Sequence, residues 1–337
     1  MIKIRNFVLS LVCVALLTVP GAFLAGPGMA QSPTTIRLAM IPPRTSEWGR
    51  VFSAWNASLR TASGGTLQIH LEPSGSTGDE VEFVRRIRSN AIDAASLSAI
   101  GLSEVDRSLL ALQAPGAVEN AAQLDRVRTS LDPQIRQQLA NNGMVLLGWS
   151  DLGQARIFSS RVIRRPQDLR AAHPWQLSND VMFGELLGRV GATGVPLPLA
   201  GVLPALVSGQ VDTVVASATA VSALQWRTHL THVMRPSSAV LIGATLYSKD
   251  DYDHLTPAQR TALDTTAAQA HTQLLARVRR ADDAYYAELV SRGMIEDDAT
   301  PYDAEWRTAA QQTRDALVGR LYTRPQLDAV LAAGRAH

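Results

Sequence analysis

The sequence predicts an α/β fold made of two successive units, each a sheet covered by helices, with one long helix that reaches across both. Three observations predict it. Short apolar runs alternate with segments of helical period from residue 35 to residue 97, and the same order of elements recurs between residues 144 and 216. An Ala-rich helical stretch, Pro257–Val290, follows and is long enough to cross both units.

The first unit is predicted as strand, helix, strand, helix, strand. Its helices place apolar residues three or four apart, as in Val51, Phe52 and Trp55. Gly64-Gly65 ends the first helix, and Asp79 lies where it would cap the second. This alternation indicates a parallel sheet with helices on its faces. The predicted elements are Thr35–Ile41, Trp48–Leu59, Leu67–Leu71, Val81–Arg88 and Ile92–Leu97.

The second unit repeats the alternation with shorter elements, and a final helix is predicted beyond the long one, over Ala304–Leu321. The predicted strands are Met144–Gly148, Ile157–Ser159, Trp175–Leu177, Val195–Leu199 and Val211–Ala216. The predicted helices between them are Pro166–Leu169, Asp180–Val190 and Val202–Ser208.

The first thirty residues have the pattern of a secretory signal peptide. Lys3 and Arg5 precede the apolar run Phe7–Leu17, and small residues continue from there to Ala30. A membrane anchor is the alternative, but the uninterrupted apolar run is shorter than the roughly 20 residues that a spanning helix needs. We expect cleavage after about Ala30, so that residues 1–30 are a signal peptide and the mature protein is exported, which in a bacterium means periplasmic.

Composition excludes several classes of protein. The chain of 337 residues carries 32 basic and 30 acidic side chains, a net charge of +2, and 46% apolar residues. It is too apolar for a disordered protein and lacks the basic excess of a nucleic-acid binder. The single cysteine, Cys13, lies within the predicted signal peptide and excludes a disulfide framework or a CxxC site.

Catalytic and metal-binding motifs are mostly missing. The string Gly148–Gly153 has the wrong spacing for a nucleophile elbow, and no HExxH, Walker loop or GxGxxG occurs. His229 and His232 have a spacing that would let them share a metal, but a zinc site needs three or four ligands, so a solvated loop pair is the simpler interpretation. We therefore expect no metal and no cofactor.

Two polar segments near residue 80 each have two interpretations. The carboxylates of Asp79, Glu80 and Glu82 could pair for acid–base chemistry, but their place at a helix start favours capping. The Ser76–Gly78 turn could cradle an anion through its backbone N–H groups, or could be a turn without a ligand.

Tryptophans follow several strand ends. Ligands of α/β sheets bind outside the carboxyl ends of the strands, so these side chains could line one cleft between the units, or could belong to two separate cores. Trp55 and Trp306 lie where packing is the simpler role. The tryptophans at strand ends or turns are Trp48, Trp149, Trp175 and Trp226.

The order of these landmarks resembles the extracytoplasmic solute-binding proteins of TRAP transporters, the DctP type, over essentially the whole mature chain. The most specific series is P-x-DLR…GA…P-P…AL-SG-VD, in order and spacing. The matching strings are TSEWGRVFSAW, STGDEVEFVRRIRSNAIDAASLS, NNGMVLLGWSDLGQARIFSS, RRPQDLRAAHPW, GATGVPLPLAGVLPALVSGQVDTVVAS and SKDDYDHLTPAQR.

The resemblance implies a two-lobed periplasmic-binding-protein fold with a long bridging helix, a solute trapped between the lobes, and delivery to membrane permease subunits rather than catalysis. It implies a first lobe of residues 34–152 plus 242–282, which include the bridging helix, and a second of residues 153–241 plus 283–337, with the C-terminal helices. Hinge candidates are the chain crossings near Leu152-Gly153 and Leu241-Gly243, together with the long helix.

The departures from the family pattern concern the solute. The position of the family's carboxylate-binding arginine holds Trp175, and that of an asparagine that often contacts ligand holds Ala216, whereas Arg156 still matches an arginine that touches ligand in some members. We expect a more apolar solute than a C4-dicarboxylate, with Arg156 holding any carboxylate. The alternative is that Trp175 only packs its lobe.

The predicted solute-binding residues combine these matches with positions at strand ends. The predicted residues are Trp48, Ser98, Trp149, Arg156, Trp175, Asp180, Ala216, Gln225 and Trp226.

The alternatives to a TRAP receptor are a sensor ectodomain, a receptor of a tripartite tricarboxylate system, and an exported hydrolase that uses Asp79 or Glu82. No nucleic acid is expected as a partner.

Overall fold

The computed structural model describes residues 32–72 and 79–335. The predicted signal peptide and the Ser76–Gly78 turn lie outside these residues. The strands are β1 (Thr34–Ala39), β2 (Leu67–Leu71), β3 (Ala94–Ser98), β4 (Met144–Ser159), β5 (Trp175–Leu177), β6 (Val195–Leu197), β7 (Thr213–Ala216), β8 (His232–Arg235), β9 (Ala239–Ser248) and β10 (Ile295–Asp298).

Short 3₁₀ helices lie between some of the strands and α-helices, and Arg107–Gln113 and Pro166–Ala171 are the longest of those described. No helix within the described residues is long and apolar enough to cross a membrane. The α-helices are α1 (Glu47–Ala62), α2 (Glu80–Arg88), α3 (Ala99–Val105), α4 (Ala121–Asn141), α5 (Val181–Val190), α6 (Val202–Ser208), α7 (Ala218–Ala223), α8 (Lys249–His254), α9 (Pro257–Ser291), α10 (Asp303–Leu317) and α11 (Arg324–Arg335).

Two long strands connect the two predicted units. β4 pairs antiparallel with β9 from Met144, opposite Ser248, to Ala155, opposite Ala239, and beyond that point it pairs with β7 and β8. The first sheet has the order β2-β1-β3-β9-β4, and the second contains β10, β8, the end of β4, and β7. The predicted parallel pairing of β1, β2 and β3 is confirmed, whereas β9 pairs antiparallel with both β3 and β4 and makes the sheet mixed.

The separate strands predicted at Met144–Gly148 and Ile157–Ser159 are one continuous strand. β9 accompanies β4 through its middle, so the backbone stays extended where the sequence has glycines. The register shifts between Leu146 and Gly148 and again between Asp151 and Gly153, where Gly153 has a φ of 110°. The second of these irregularities lies at the proposed Leu152-Gly153 hinge.

The long helix predicted at Pro257–Val290 is confirmed as α9. Thr256 caps the helix, Pro257 is its first residue, and Thr256 forms a capping box with Gln259. These residues fix where the helix begins. Leu274 belongs to the hydrophobic cluster of β1, β2 and α1, whereas Leu289 belongs to the cluster of α6, α7 and the end of β4. One helix therefore contributes to the cores on both sheets.

The C-terminal helix packs with the first sheet. Leu327 and Val330 of α11 lie in the same cluster as Leu124 and Val127 of α4. α11 thus shares a cluster with α4, and so do Leu317, Leu321 and Tyr322 just before it. The sequence-based prediction places residues 283–337 in the second lobe. The described residues from Pro33 onward form one compact unit, so the lobe boundaries stay a prediction.

His271 fills the space between α9 and β4. A Cβ on Gly148 would lie 2.3 Å from the imidazole Cγ, so only glycine lets the strand approach this closely. The ring nitrogens Nδ1 and Nε2 each lie 2.8 Å from an oxygen, the carbonyl of Ala267 and Oγ1 of Thr245. A neutral imidazole satisfies both, because Nδ1–H donates to the carbonyl and Nε2 accepts from the hydroxyl.

This histidine is expected to make the fold less stable in mild acid. Burial lowers the pKa of His271 to about 4, whereas an unfolded histidine has a pKa of about 6.5. As the pH falls, the unfolded chain takes up the proton first, so stability is lost progressively between these values. Between pH 7 and pH 5 the free energy of unfolding should fall by about 2 kcal/mol from this residue alone.

Urea unfolding at both pH values, on wild type and on His271→Gln, checks this expectation. The variant removes the titrating group but keeps a hydrogen-bonding side chain, so its pH dependence should be smaller than that of wild type by that amount. Equal pH dependence in the two proteins would contradict the assignment.

Candidate functional site

Arg156 lies in the second half of β4, opposite Ala216, the last residue of β7. Its side chain is only 8% exposed. Nη1 lies 3.3 Å from Oδ2 of Asp282, and Nη2 donates to Oε1 of Gln154 at 3.2 Å. The guanidinium carbon is 4.1 Å from the centre of the Tyr286 ring, a cation–π contact. The predicted arginine is therefore held on one edge and one face by the protein itself.

Asp282 is the centre of this cluster. It projects from α9, is 1% exposed, and accepts hydrogen bonds on both carboxylate oxygens. Oδ2 accepts from the backbone N–H of Gln154 at 2.9 Å as well as from Arg156. Oδ1 accepts from the backbone N–H and the hydroxyl of Thr219, at 3.0 and 3.1 Å. One carboxylate thus joins α9 to β4 and to the first turn of α7.

Trp175 and Trp226 form the second group of predicted residues that the structure brings together. Their rings meet edge to face with centroids 5.5 Å apart. Trp226 is buried, whereas Trp175 is only half-buried. Trp175 donates its indole N–H to the carbonyl of Leu197 at 3.0 Å, so that donor is already used. What Trp175 leaves accessible is apolar ring surface.

Ser98 and Asp180 each lie at a helix start. Ser98 caps α3, and its N–H and hydroxyl both donate to the carboxylate of Glu80, which also accepts from the N–H of Gly101. Burial raises the pKa of the Glu80 carboxyl. Asp180 caps α5 by accepting from the N–H of Phe183, and burial raises its pKa as well. Both carboxylates therefore occupy the anion-attracting N-termini of the helices that they cap.

The remaining predicted residues lie in different surroundings. Trp48 is buried in the cluster of α1 and α9, and Gln225 is exposed with a φ of 62°. Trp149 belongs to the cluster of α4 and donates its indole N–H to Asp132 at 3.1 Å. Ring contacts among the described residues do not join these tryptophans to Trp175, and their role in binding stays a prediction.

A buried ionic network adjoins Trp149 and was not predicted from the sequence. Arg128 of α4 donates to Oδ1 of Asp151 at 2.7 Å, and Arg279 of α9 donates to Oδ2 at 2.6 Å. Arg279 also holds Asp125 through two hydrogen bonds. The guanidinium of Arg128 lies 5.0 Å from the Trp149 ring centre. This network ties α4, β4 and α9 together one turn before Asp282.

One pattern in the sequence does indicate that Asp282 is buried. Ala270, Leu274, Val278 and Asp282 recur every four residues along α9 and are all buried. A carboxylate on an apolar helix stripe needs a buried cation or hydrogen-bond donors as partners. The identity of the partner, Arg156, depends on the fold.

The other acidic and histidine candidates have structural partners. Asp79 caps α2 by accepting from the N–H of Glu82 at 2.9 Å, and Glu82 in turn pairs with Arg85, which confirms the capping interpretation. His232 lies 3.2 Å from the buried Asp297. No group of three or more possible metal ligands occurs among the residues that the structure describes.

The chain is similar to a known protein family and to several solved structures. The family profile described as bacterial extracellular solute-binding protein, family 7, matches residues 38–319. A TRAP periplasmic solute-binding protein from Ralstonia eutropha H16, with bound (S)-2-acetolactate, is 21% identical, with a TM-score of 0.81 over 89% of this chain and 98% of that one.

Two further solved structures are similar. An extracytoplasmic solute receptor of Bordetella pertussis that binds pyroglutamic acid is 15% identical, with a TM-score of 0.81 over 90% of this chain and 100% of that one. A TRAP periplasmic solute-binding protein from Xanthobacter autotrophicus Py2, with bound β-D-galacturonate, is 18% identical, with a TM-score of 0.80 over the same shares. These likenesses confirm the predicted α/β, two-lobed periplasmic-binding-protein fold.

Proposed function

Because the chain belongs to bacterial extracellular solute-binding protein family 7, we propose that it captures a small organic solute between its two lobes and delivers it to the membrane subunits of a TRAP-type transporter. The observation that carries the proposal is the family match along residues 38–319, which contain the whole of α9 and every described strand except the start of β1. Solute contacts to both lobes would favour the closed state, and only this differential affinity shifts the population.

The same proposal places the protein outside the cytoplasm, where receptors of this family act. Residues 1–30 would direct export and be removed after about Ala30. N-terminal sequencing of the protein from a periplasmic extract tests this step separately from binding, because a chain that keeps Met1 would contradict cleavage and leave the binding proposal open to its own test.

Native mass spectrometry of protein purified without refolding tests capture. We expect one small organic molecule for each chain, released when the protein unfolds. Protein that carries no such molecule, and gives no calorimetric response to dicarboxylates, longer-chain acids or the amides of these acids, would contradict the proposed function.

The proposed solute has an apolar part and one polar group. Where the family pattern has a carboxylate-binding arginine, this chain has Trp175. Its indole N–H donates to the carbonyl of Leu197, and its half-buried ring packs against Trp226. Arg156 is the cation that remains at the predicted site, and it lies within the cluster of Asp282, Gln154 and Tyr286. Trp175 and Tyr286, whose ring contacts Arg156, pack against the same hydrophobic cluster. An apolar surface together with one polar group suits an amphipathic molecule.

Trp175→Ala is expected to weaken binding of the co-purified solute by about 10- to 100-fold, the cost of removing a large apolar contact. Isothermal titration of the released and repurified solute measures it. Trp306→Ala is the matched control, because Trp306 is also half-buried and also donates its N–H to a backbone carbonyl, that of Arg164 at 2.8 Å. Tight succinate binding that survives Trp175→Ala would contradict the apolar solute.

A further inference from the structure

The positive charge of Arg156 is already balanced inside the fold. Its side chain is 8% exposed and that of Asp282 is 1% exposed, and their charged groups lie 3.3 Å apart. Charges in such surroundings interact strongly because little water screens them. This departs from an open carboxylate clamp, in which the arginine keeps its charge for the ligand.

Asp282 is also held in place by groups other than Arg156. Three further hydrogen bonds reach it, from the N–H of Gln154 and from the N–H and hydroxyl of Thr219. The backbone of β4 is packed directly against it, because a Cβ on Gly153 would lie 2.6 Å from the carboxylate carbon. The negative charge therefore stays beside Arg156 when a solute arrives.

This arrangement separates two kinds of ligand. A guanidinium has five N–H groups, and the hydrogen bonds to Asp282 and Gln154 use two of those on Arg156. An uncharged carbonyl or hydroxyl oxygen can accept from a free N–H without a charge cost. A carboxylate at the same place would share one cation with Asp282, and two like charges at close range in a buried site repel each other.

Resting on the proposed solute-binding function, we propose that Asp282 is a specificity-determining residue. By neutralising Arg156 it makes the site prefer a solute whose polar group is an uncharged amide, ketone or hydroxyl over one that presents a carboxylate. The solved relatives described above hold organic acids, so this chain would be a receptor of the same fold with a different charge preference.

The test follows the Arg156 guanidinium by nuclear magnetic resonance, with acetate and acetamide as probes. The two probes have nearly the same shape and differ in charge. The signal is assigned by its loss in Arg156→Lys. In wild type, acetamide should shift the Arg156 signal at lower concentration than acetate does. In Asp282→Asn, acetate should bind about 10- to 100-fold more tightly than in wild type. Asp283→Asn, an exposed neighbour on the same helix, is the matched control and should behave as wild type.

Several outcomes overturn the proposal. Acetate that binds wild type more tightly than acetamide does would mean that Arg156 is an open clamp. Folded Asp282→Asn with no gain for acetate would leave Asp282 a purely structural role. If Asp282→Asn does not fold, the relative affinities of acetamide and acetate for wild type decide alone. An Arg156 signal that responds to neither probe also overturns the proposal. Protein with the expected responses that co-purifies with no solute and gives no calorimetric response to the acids and amides named above would contradict the proposed function instead.

Discussion

Replacing Asp151 by alanine is expected to lower the free energy of unfolding by about 3–5 kcal/mol, the cost of breaking a buried ion pair from one side. Asp151 is 0% exposed and lies between two guanidinium groups. Arg279 keeps its two hydrogen bonds to Asp125 in the variant. Arg128, which is 5% exposed, keeps only the Ser150 carbonyl at 2.8 Å and the face of Trp149.

The loss should be large because burying the Arg128 guanidinium carries a large desolvation cost. Desolvation lowers its pKa, and the Asp151 charge is the main influence that opposes this effect. Nε of Arg128 has no hydrogen-bond partner as it stands. Without Asp151 the fold must therefore hold a buried cation with no counter-charge in direct contact, or open locally to hydrate it.

Chemical unfolding of three variants measures the effect and separates its causes. Asp151→Asn keeps the volume and loses the charge, so it should lose most of the stability that Asp151→Ala loses. Asp328→Ala is the control, since its ion pair with Arg324 spans 4.0 Å between half-exposed side chains and should matter by less than about 1 kcal/mol. A loss below that value for Asp151→Ala would show that the network contributes little.

The elements that the sequence predicts well are those with a clear period and a clear stop. The strand Leu67–Leu71 and the helix Val202–Ser208 match the observed β2 and α6 residue for residue, because Gly64-Gly65 and Gly209 delimit them. α4 was missed. It has Pro133 within it and Arg128 on its buried face, so its pattern is neither clearly helical nor clearly amphipathic.

The candidate site was harder to predict because its residues are far apart along the chain. Arg156 was identified through a family resemblance, but its partner Asp282 lies 126 residues later in the chain. The apolar stripe of α9 marks Asp282 as buried, but no local pattern pairs it with Arg156 rather than with another arginine of the chain. Trp175 shows the same limit, because its indole N–H is engaged by Leu197 from another strand, and only the paired β5 and β6 make that contact visible.

Gly153→Ala is expected to destabilise the protein by about 2–6 kcal/mol, since backbone strain and overpacking each cost about 1–3 kcal/mol. Gly153 has a φ of 110°, a conformation that residues with a side chain rarely adopt. The added methyl carbon would also lie 2.6 Å from Asp282 Oδ1 and 2.7 Å from Cβ of Ser217. It would push apart the groups that hold α9, β4 and α7 together.

Gly188→Ala is the matched control for this variant. Gly188 lies in the exposed part of α5 with open space where its Cβ would be, so alanine there should raise stability by about 0.5–1 kcal/mol. Urea unfolding compares both variants with wild type. A small effect of Gly153→Ala would mean that β4 shifts freely at this point. A large loss of stability would instead show that Gly153 is required by the close packing of Asp282, independently of any hinge motion at Leu152-Gly153.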